Sequence, residues 1–215
     1  METRKLGGEA LYNIDAFSPL PAHPLYEFLK RSIDIVVSLV ALLVLAIPLF
    51  VVGLIIRMDS PGPAIFRQER LGKGGRPFML YKFRTMRQDA EKDGAKWADK
   101  NDDRCTRVGA VLRQYRIDEF PQLINILEGD MSIVGPRPER EIFYRKFSEY
   151  IDGFEQRMAV TQGLTGLAQI NGGYDLPPEE KLVYDLEYIQ KRSLRLDFFI
   201  IFQTVKVVFG RLGAR

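Results

Sequence analysis

The stretch Ile35–Ile56 reads IVVSLVALLVLAIPLFVVGLII, which is 22 residues without a charge. As a straight helix it would span about 33 Å at ~1.5 Å per residue, and the hydrocarbon core of a bilayer is roughly 30 Å thick. A buried core helix of a soluble protein is the alternative interpretation. An uncharged run of this length in a chain of 215 residues favours burial in a membrane. The run begins too far along the chain for a cleaved signal peptide.

The residues that flank this run indicate how it lies in the membrane. Basic side chains stand on both sides of it, with Lys30 and Arg31 before it and Arg57 after it. A helix that crosses once normally carries its basic excess on the cytoplasmic side alone. Pro48 lies within the run, where it removes a backbone donor and kinks a helix. We therefore predict a re-entrant helix with a break at Pro48 and both ends on the cytoplasmic face; a kinked single crossing is the alternative.

The composition excludes several classes of function. The chain has 31 basic and 28 acidic residues and a net charge of +3, which is too balanced for nucleic-acid binding through bulk charge. Cys105 is the only cysteine, so intrachain disulfides and zinc sites with several thiolates are excluded. His23 is the only histidine and lies in a proline-rich segment, which disfavours a Ser-His-Asp triad and a two-histidine metal site. Any chemistry must use carboxylates, Lys, Arg, Tyr or hydroxyl groups.

The apolar run divides the chain into three predicted parts. Residues 1–24 show no sustained period and are predicted to form a mobile leader, residues 25–58 the membrane helix, and residues 59–215 a cytoplasmic catalytic domain. The predicted fold class is α+β and mostly helical. It combines the re-entrant helix with a compact domain that contains a small β-hairpin and amphipathic interfacial helices.

Within the third part, Ala64–Leu71 and Pro77–Thr85 have the composition of two strands joined by a glycine-rich hairpin loop. That loop lacks the spacing of a phosphate-binding Walker motif. Gln88–Asp103 is highly charged and predicts a surface helix and loop. Glycines around 163–173 predict a second loop. Helices are predicted over 107–120, 121–127, 139–155, 178–192 and 198–209. The last of them fits either an interfacial helix on the membrane or a core helix.

Two adjacent carboxylates, Asp118 and Glu119, stand directly before a predicted helix start at Pro121. Neighbouring residues of a regular helix point about 100° apart, so these two act together only where the helix breaks, and Pro121 supplies that break. One of them could act as a nucleophile, and the pair could hold Mg²⁺ through oxygen ligands. A solvated helix cap is the alternative for an isolated Asp-Glu pair.

Cationic side chains come from several separate segments. Lys82 and Arg84 alternate on one predicted strand face, Arg113 precedes the carboxylate pair, and Arg137 is held between Pro136 and Pro138. Solvent-facing cations are the simpler interpretation of each segment alone. Together they form the kind of composite site that a pyrophosphate-containing substrate requires, because a fixed guanidinium binds phosphate oxygens in a bidentate manner.

Four motifs resemble a known family in their order and spacing. They are Lys82-Phe83-Arg84-Thr85-Met86, Asp118-Glu119 with Pro121-Gln122-Leu123-Ile124-Asn125, the block Gly129–Pro138 (GDMSIVGPRP), and the block Gly163–Gly172 (GLTGLAQING). These motifs look like those of the bacterial sugar transferases, also described as polyprenyl-phosphate phosphoglycosyl transferases. The resemblance covers roughly residues 26–210.

The resemblance implies an enzyme of the bacterial inner (cytoplasmic) membrane with a re-entrant helix and a catalytic region on the cytoplasmic face. Such enzymes transfer a sugar phosphate from a UDP-sugar to undecaprenyl phosphate, release UMP, and initiate assembly of a surface glycan or exopolysaccharide. By this likeness Asp118 is the nucleophile that forms a covalent aspartyl-phosphosugar intermediate. Glu119 assists as a catalytic residue, and both carboxylates bind Mg²⁺. The implied substrate-binding residues are Lys82, Arg84, Arg113, Arg137, Gln169 and Asn171.

Two other functions remain open at this point. The chain could be a catalytically inert membrane scaffold that binds a nucleotide sugar, or a soluble Mg²⁺-dependent phosphohydrolase in which the apolar run is a buried helix. No nucleic-acid partner is expected. The identity of the sugar, the glycan and the oligomeric state stay undetermined by the sequence.

Overall fold

The computed structural model describes residues 23–90, 92 and 102–209. The predicted leader, except for its last two residues, and part of the charged segment 88–103 lie outside these residues. The described helices are α1 Pro24–Asp59, α2 Arg107–Gln114, α3 Gln122–Glu128, α4 Glu141–Ser148, α5 Leu167–Ile170, α6 Pro178–Lys191 and α7 Leu194–Phe209. The described strands are β1 Ile65–Leu71, β2 Pro77–Phe83, β3 Met131–Val134 and β4 Gln162–Thr165. The described part of the chain is mostly helical, as predicted, and contains the predicted small hairpin.

Helix α1 is a single helix of 36 residues that passes through Pro48. Pro48 therefore does not divide it into two helical elements, and the predicted re-entrant path stays a prediction. The helix is long and apolar enough to cross a membrane by length and composition, yet only 6% of its most apolar window is buried. A core helix would be mostly buried, so the exposed apolar surface argues against the soluble alternative.

One face of α1 packs along the rest of the molecule. Asp34, Ser38 and Ile56 are its buried residues. Between them, Ala41 and Leu42 pack on a cluster that includes Leu80 and Leu123, and Leu49 and Val52 pack on a cluster that includes Phe83 and Leu112. These positions recur at helical spacing, so a continuous stripe contacts the domain.

Polar contacts fix the N-terminal part of α1 to the domain. The Asp34 carboxylate accepts a hydrogen bond from the Ile133 backbone N–H at 3.0 Å. Arg31 donates to the carbonyl oxygens of Ile126 and Leu127 at the end of α3. Lys30 forms an ion pair with Asp197 of α7 at 3.1 Å. The first third of the apolar helix is thus tied to three different elements of the domain.

The other end of α1 is tied to the same domain through the hairpin. Arg84, directly after β2, donates from its guanidinium to the carbonyl oxygens of Ser60 and Pro61, which follow the helix. The Ser60–Arg84 distance is 2.7 Å. Both ends of the apolar helix are therefore bonded to one compact domain.

The predicted hairpin is confirmed. Strands β1 and β2 pair antiparallel in the register Ile65↔Phe83 to Leu71↔Pro77. The side chain of Asn125 in α3 bonds to the backbone of β2. It accepts a hydrogen bond from the Tyr81 N–H at 3.0 Å and donates one to the Met79 carbonyl at 2.8 Å. This contact places the start of α3, and the turn before it, beside Lys82.

A second sheet was not predicted. Strands β3 and β4 pair in parallel, with Met131 opposite Gln162 and Val134 opposite Thr165. The sequence predicted a loop over residues 163–173, whereas β4 and the short helix α5 occupy most of it. Two glycines make the pairing possible, because a Cβ on Gly163 would lie 2.1 Å from the Gly135 nitrogen.

Several helix boundaries differ from the predicted ones. Helix α2 ends at Gln114 instead of continuing to residue 120, because Arg116 adopts a left-handed conformation with φ 55°. Helix α4 ends at Ser148, and a 3₁₀ segment, Phe154–Ala159, follows Gly153 with φ 75°. Helix α6 is confirmed over Pro178–Lys191.

Helix α7 has two different faces. Asp197 and Ile200 are buried, while the apolar side chains on the other face are exposed, namely Phe198, Phe199, Phe202 and Val205. The helix thus combines the two predicted alternatives, because it supplies core residues and also presents an apolar surface.

Candidate active site

A cavity of about 670 Å³ lies between the hairpin, the turn before α3 and the segment before α4. Nine basic side chains line it, namely Arg67, Arg70, Lys82, Arg84, Arg87, Arg113, Arg116, Arg137 and Arg140. Only three acidic side chains do so, namely Asp118, Glu119 and Glu139. In a chain whose net charge is +3, this imbalance concentrates positive charge in one place. A cavity of this kind attracts anions.

The two predicted carboxylates lie on a 3₁₀ turn, Ile117–Glu119, and both are buried. Arg116 enters the turn in a left-handed conformation, and Pro121 caps the start of α3 on the other side. Successive residues of a 3₁₀ helix point about 120° apart, so the two carboxylates face different surroundings. The predicted position of the pair at a helix junction is confirmed.

Both carboxylate oxygens of Glu119 contact basic side chains. Arg137 approaches it with both terminal nitrogens, one of which lies 3.1 Å from Oε2. Lys82 lies 3.2 Å from Oε1, and Arg116 lies 4.0 Å from the same oxygen. Burial alone would raise the pKa of Glu119, but Arg137 and Lys82 outweigh it and hold that pKa far below its usual range. Glu119 therefore stays ionised and organises the cations around it.

Asp118 differs from its neighbour. Within the part of the chain that the structure describes, its carboxylate forms no hydrogen bond and no ion pair, although it lines the large cavity. Burial raises its pKa to about 6, against the opposing effect of Lys82. A carboxylate that is desolvated but not engaged by a donor keeps its lone pairs available for a reacting centre.

The backbone of Arg137 is fixed by a buried hydrogen bond as well as by its flanking prolines. The buried Arg157 donates to the Arg137 carbonyl oxygen at 3.2 Å. Arg157 in turn forms a buried ion pair with Asp185 of α6 at 2.5 Å. This support was not predicted, because Arg157 and Asp185 lie far from Arg137 along the chain and match no local motif.

The structure gives Arg84 a position that differs from the predicted one. We predicted that it binds substrate beside Lys82. Its Nη atoms instead donate to backbone carbonyl oxygens at the end of α1, although the residue still lines the cavity. Since these donors are occupied, Arg84 holds the helix end in place here, and a contact with substrate stays a prediction.

The remaining predicted residues are distributed unevenly. Arg113 lines the large cavity, with Nη1 2.8 Å from the Cys105 sulfur. Gln169 of α5 lines a second, smaller cavity. Asn171 is exposed, donates to the Leu167 carbonyl at 2.8 Å, and is not among the residues that line either cavity. The structure thus brings Asp118, Glu119, Lys82, Arg113 and Arg137 together, with Gln169 nearby, and leaves Asn171 outside.

Mg²⁺ binds oxygen ligands, and Asp118 and Glu119 are carboxylates that line the cavity. No group of three or more His, Cys, Asp or Glu side chains that could hold a metal occurs among the described residues. Mg²⁺ is, however, commonly bound by one or two carboxylates together with water and substrate phosphates. Asp118 has both oxygens available, and Glu119 Oε2 accepts from Arg137 alone among the contacts described. The two carboxylates fit a metal that arrives with a phosphate substrate.

The structure thus combines one long, exposed apolar helix with a cavity lined mainly by basic side chains. The sequence matches the bacterial sugar transferase family over residues 25–211. The chain therefore belongs to this family.

Three relatives illustrate the similarity. An Aeromonas hydrophila protein named UDP-N-acetylgalactosamine-undecaprenyl-phosphate N-acetylgalactosaminephosphotransferase is 42% identical over 92% of this chain and 47% of its own length. An Escherichia coli protein named UDP-glucose:undecaprenyl-phosphate glucose-1-phosphate transferase is 38% identical over 89% of this chain and 44% of its own. A Rhizobium leguminosarum exopolysaccharide production protein is 45% identical over 82% of this chain and 93% of its own. The chain spans about half the length of the first two.

Proposed function

We propose that this protein transfers a sugar phosphate from a UDP-sugar to undecaprenyl phosphate and releases UMP, as the first step in building a surface glycan. The observation that carries the proposal is the unpartnered Asp118 carboxylate in a cavity lined by nine cations. The family membership and the names of the relatives support the same reaction.

The reaction divides into two displacements at one phosphorus atom. An Asp118 oxygen attacks the β-phosphorus of the UDP-sugar, the bond to the bridging oxygen breaks, and UMP leaves with that oxygen. The sugar phosphate is then bound to Asp118 as a mixed anhydride. A phosphate oxygen of undecaprenyl phosphate attacks the same phosphorus and releases Asp118 unchanged. A carboxylate suits this role because the anhydride preserves the transfer potential of the donor.

The surrounding cations make the approach of three anionic groups possible. Lys82 and Arg137 are held beside Asp118 by their shared contacts with Glu119, and Arg113 lines the same cavity. Fixed positive charges that need no rearrangement stabilise the charge that develops on the transferring phosphoryl group. Asp118 and Glu119 would hold Mg²⁺, which would further neutralise the pyrophosphate.

The membrane helix brings this site to its lipid substrate. Both ends of α1 are bonded to the domain that contains the cavity, through Asp34 and Arg31 at one end and Arg84 at the other. This arrangement supports a re-entrant path in the inner membrane, with both ends and the catalytic domain on the cytoplasmic face. Single cysteines at Leu25 and Met58, in a chain with Cys105→Ser, should then react from the same side. Reaction from opposite sides would establish a crossing helix.

The reaction is tested by measuring UMP release from purified protein in detergent or nanodiscs. We expect release to require a UDP-sugar, Mg²⁺ and undecaprenyl phosphate together for multiple turnovers. With the donor alone, intact-protein mass spectrometry should show one sugar phosphate attached, and peptide mapping should locate it on Asp118. A protein that binds UDP-sugar but shows neither an adduct nor UMP release would be the inert scaffold.

A further inference from the structure

A second cavity of about 20 Å³ adjoins the active-site cavity. Arg116, Arg137 and Glu139 line both of them. The smaller one, here named the Gln169 recess, is completed mainly by Gln169 of α5 and Lys181 of α6. Arg116 lies two residues before Asp118, and Arg137 contacts Glu119. The recess therefore lies next to the two carboxylates of the active-site cavity.

The side chain of Gln169 is the unusual feature of this recess. Both of its amide atoms, Oε1 and Nε2, are buried without a hydrogen-bond partner among the described residues. A buried polar group that is left unpaired is uncommon in folded proteins, and beside a cavity a bound group can supply the missing partner. Gln122 is also unpaired, but it lines neither cavity.

Local packing holds the amide in this position. A Cβ on Gly166 would lie 2.6 Å from Gln169 Oε1 and 2.2 Å from the Gly135 carbonyl oxygen. Glycine at position 166 therefore leaves the space that the amide fills. The GLTGLAQ segment thus packs closely around the amide of a residue that lines the recess.

The size and chemistry of the recess restrict what it can hold. A volume of about 20 Å³ admits one water-sized group and excludes a whole phosphate group or a sugar ring. The amide offers one donor group and one acceptor, Glu139 offers acceptors, and Lys181 offers donors. A single hydroxyl or carbonyl oxygen matches this set, since a hydroxyl both donates and accepts.

We propose that the Gln169 recess takes one polar substituent of the sugar ring, a hydroxyl or an acyl-amide oxygen, and thereby selects the sugar. This inference rests on the proposed function, in which the sugar is attached to the phosphorus that Asp118 attacks. A site that hydrogen-bonds a substrate group rejects analogues without that group, because its own polar atoms are then left unpaired.

The test compares donors that differ at the C2 and C4 positions of the sugar, using the full chain in nanodiscs. UMP release is measured with UDP-N-acetylglucosamine, UDP-N-acetylgalactosamine, UDP-glucose and UDP-galactose, for the wild type, Gln169→Met and Gln169→Glu. The Met variant keeps the length of the side chain and removes the amide. We expect it to lower kcat/KM for the preferred donor by about tenfold or more, and for the poorest donor by no more than about twofold, so that the preference collapses. Gln169→Glu keeps an acceptor and should retain part of the preference.

Controls separate this inference from a structural role and from the proposed function. Gln203→Met on α7, which lines neither cavity, should leave all four kcat/KM values within about twofold of the wild type. If Gln169→Met lowers kcat/KM for every donor by the same factor, or leaves the preference intact, the recess does not select the sugar although the proposed reaction stands. If the wild type releases UMP from none of the donors, the proposed function fails and the inference fails with it.

Discussion

The two sides of the turn Ile117–Glu119 differ in the partners that they offer to a carboxylate. On one side, Glu119 is surrounded by Arg137, Lys82 and Arg116. On the other side, Asp118 is equally buried and accepts no hydrogen bond from the described residues. The same chemical group is thus paired with cations at one position and left without a hydrogen-bond donor from the described residues at the next. Burial alone does not distinguish the two carboxylates, because both are buried. The hydrogen-bond donors around them do.

The geometry of the turn explains how the chain achieves this difference. A regular helix through residues 116–122 would place both carboxylates on its surface, one residue apart. The left-handed Arg116 and the helix start at Pro121 instead produce one tight turn. That turn directs Glu119 toward Lys82 on β2 and Arg137 after β3, and leaves Asp118 facing the cavity.

Replacing Asp118 by Asn should have the largest effect on activity. An amide of the same shape cannot form the mixed anhydride, so we expect kcat for UMP release to fall by at least about 10⁴-fold, as for other enzymes that lose a nucleophile. The adduct with donor alone should disappear. Turnover within tenfold of the wild type would show that the unpartnered carboxylate is not the nucleophile. Glu141→Gln on the exposed face of α4 is the control for loss of a carboxylate.

Replacing Glu119 by Gln should affect stability most. The change leaves Lys82 and Arg137 close together without their counter-ion, and breaking a buried ion pair costs about 3–5 kcal/mol. Because both cations are partly accessible, we expect the free energy of unfolding to fall by about 2–3 kcal/mol, measured by urea titration in detergent. Glu141→Gln, which breaks an exposed pair with Arg145, should change it by less than about 0.5 kcal/mol. Equal effects would mean that Glu119 is not a structural counter-ion.

Replacing Arg137 by Lys keeps the positive charge and removes the two guanidinium nitrogens that contact both Glu119 oxygens. Lysine cannot approach both Glu119 oxygens at once, so the cation beside Asp118 becomes less fixed. Charged hydrogen bonds contribute about 1.5–3 kcal/mol, so we expect kcat/KM to fall by about 10- to 100-fold. The exposed Arg145→Lys is the matched control and should stay within about twofold. An unchanged kcat/KM in Arg137→Lys would show that charge alone is sufficient at this position.

Much of this arrangement follows from local sequence, and the rest depends on distant contacts. The hairpin, helix α6 and the junction at Asp118 were predictable, because strand composition, helical period and Pro121 act over a few residues. The parallel pairing of β3 with β4 was not, because it joins Met131 to Gln162 through four-residue strands with no distinctive pattern.

The contacts of individual cations could also not be predicted from the sequence. The sequence predicted that Lys82 and Arg84 lie on the same face of one strand and have the same role. In the structure Lys82 contacts Glu119, and Arg84 holds the backbone after α1. The pairing of Arg157 with Asp185 likewise appears only once α6 packs against the 3₁₀ segment Phe154–Ala159. The sequence predicted that cations from separate segments come together, while tertiary packing decided which side chains line the cavity.

The smallest predicted effect is the most direct test of the comparison. Asp118→Asn should raise the free energy of unfolding by about 1 kcal/mol at pH 7, because it removes a desolvated charge that no donor compensates. The pKa of Asp118 is raised on folding, so ionisation of this group destabilises the folded state as the pH rises toward and past about 6. The increase in the free energy of unfolding of Asp118→Asn over the wild type should therefore be complete above that pH. It should vanish below about pH 4, where the wild-type carboxyl is protonated. Urea titrations in EDTA at pH 4, 5.5 and 7.5 measure it. A loss of stability in Asp118→Asn, like that expected for Glu119→Gln, would show that the folded protein pairs both carboxylates, and the distinction between the two sides of the turn would be wrong.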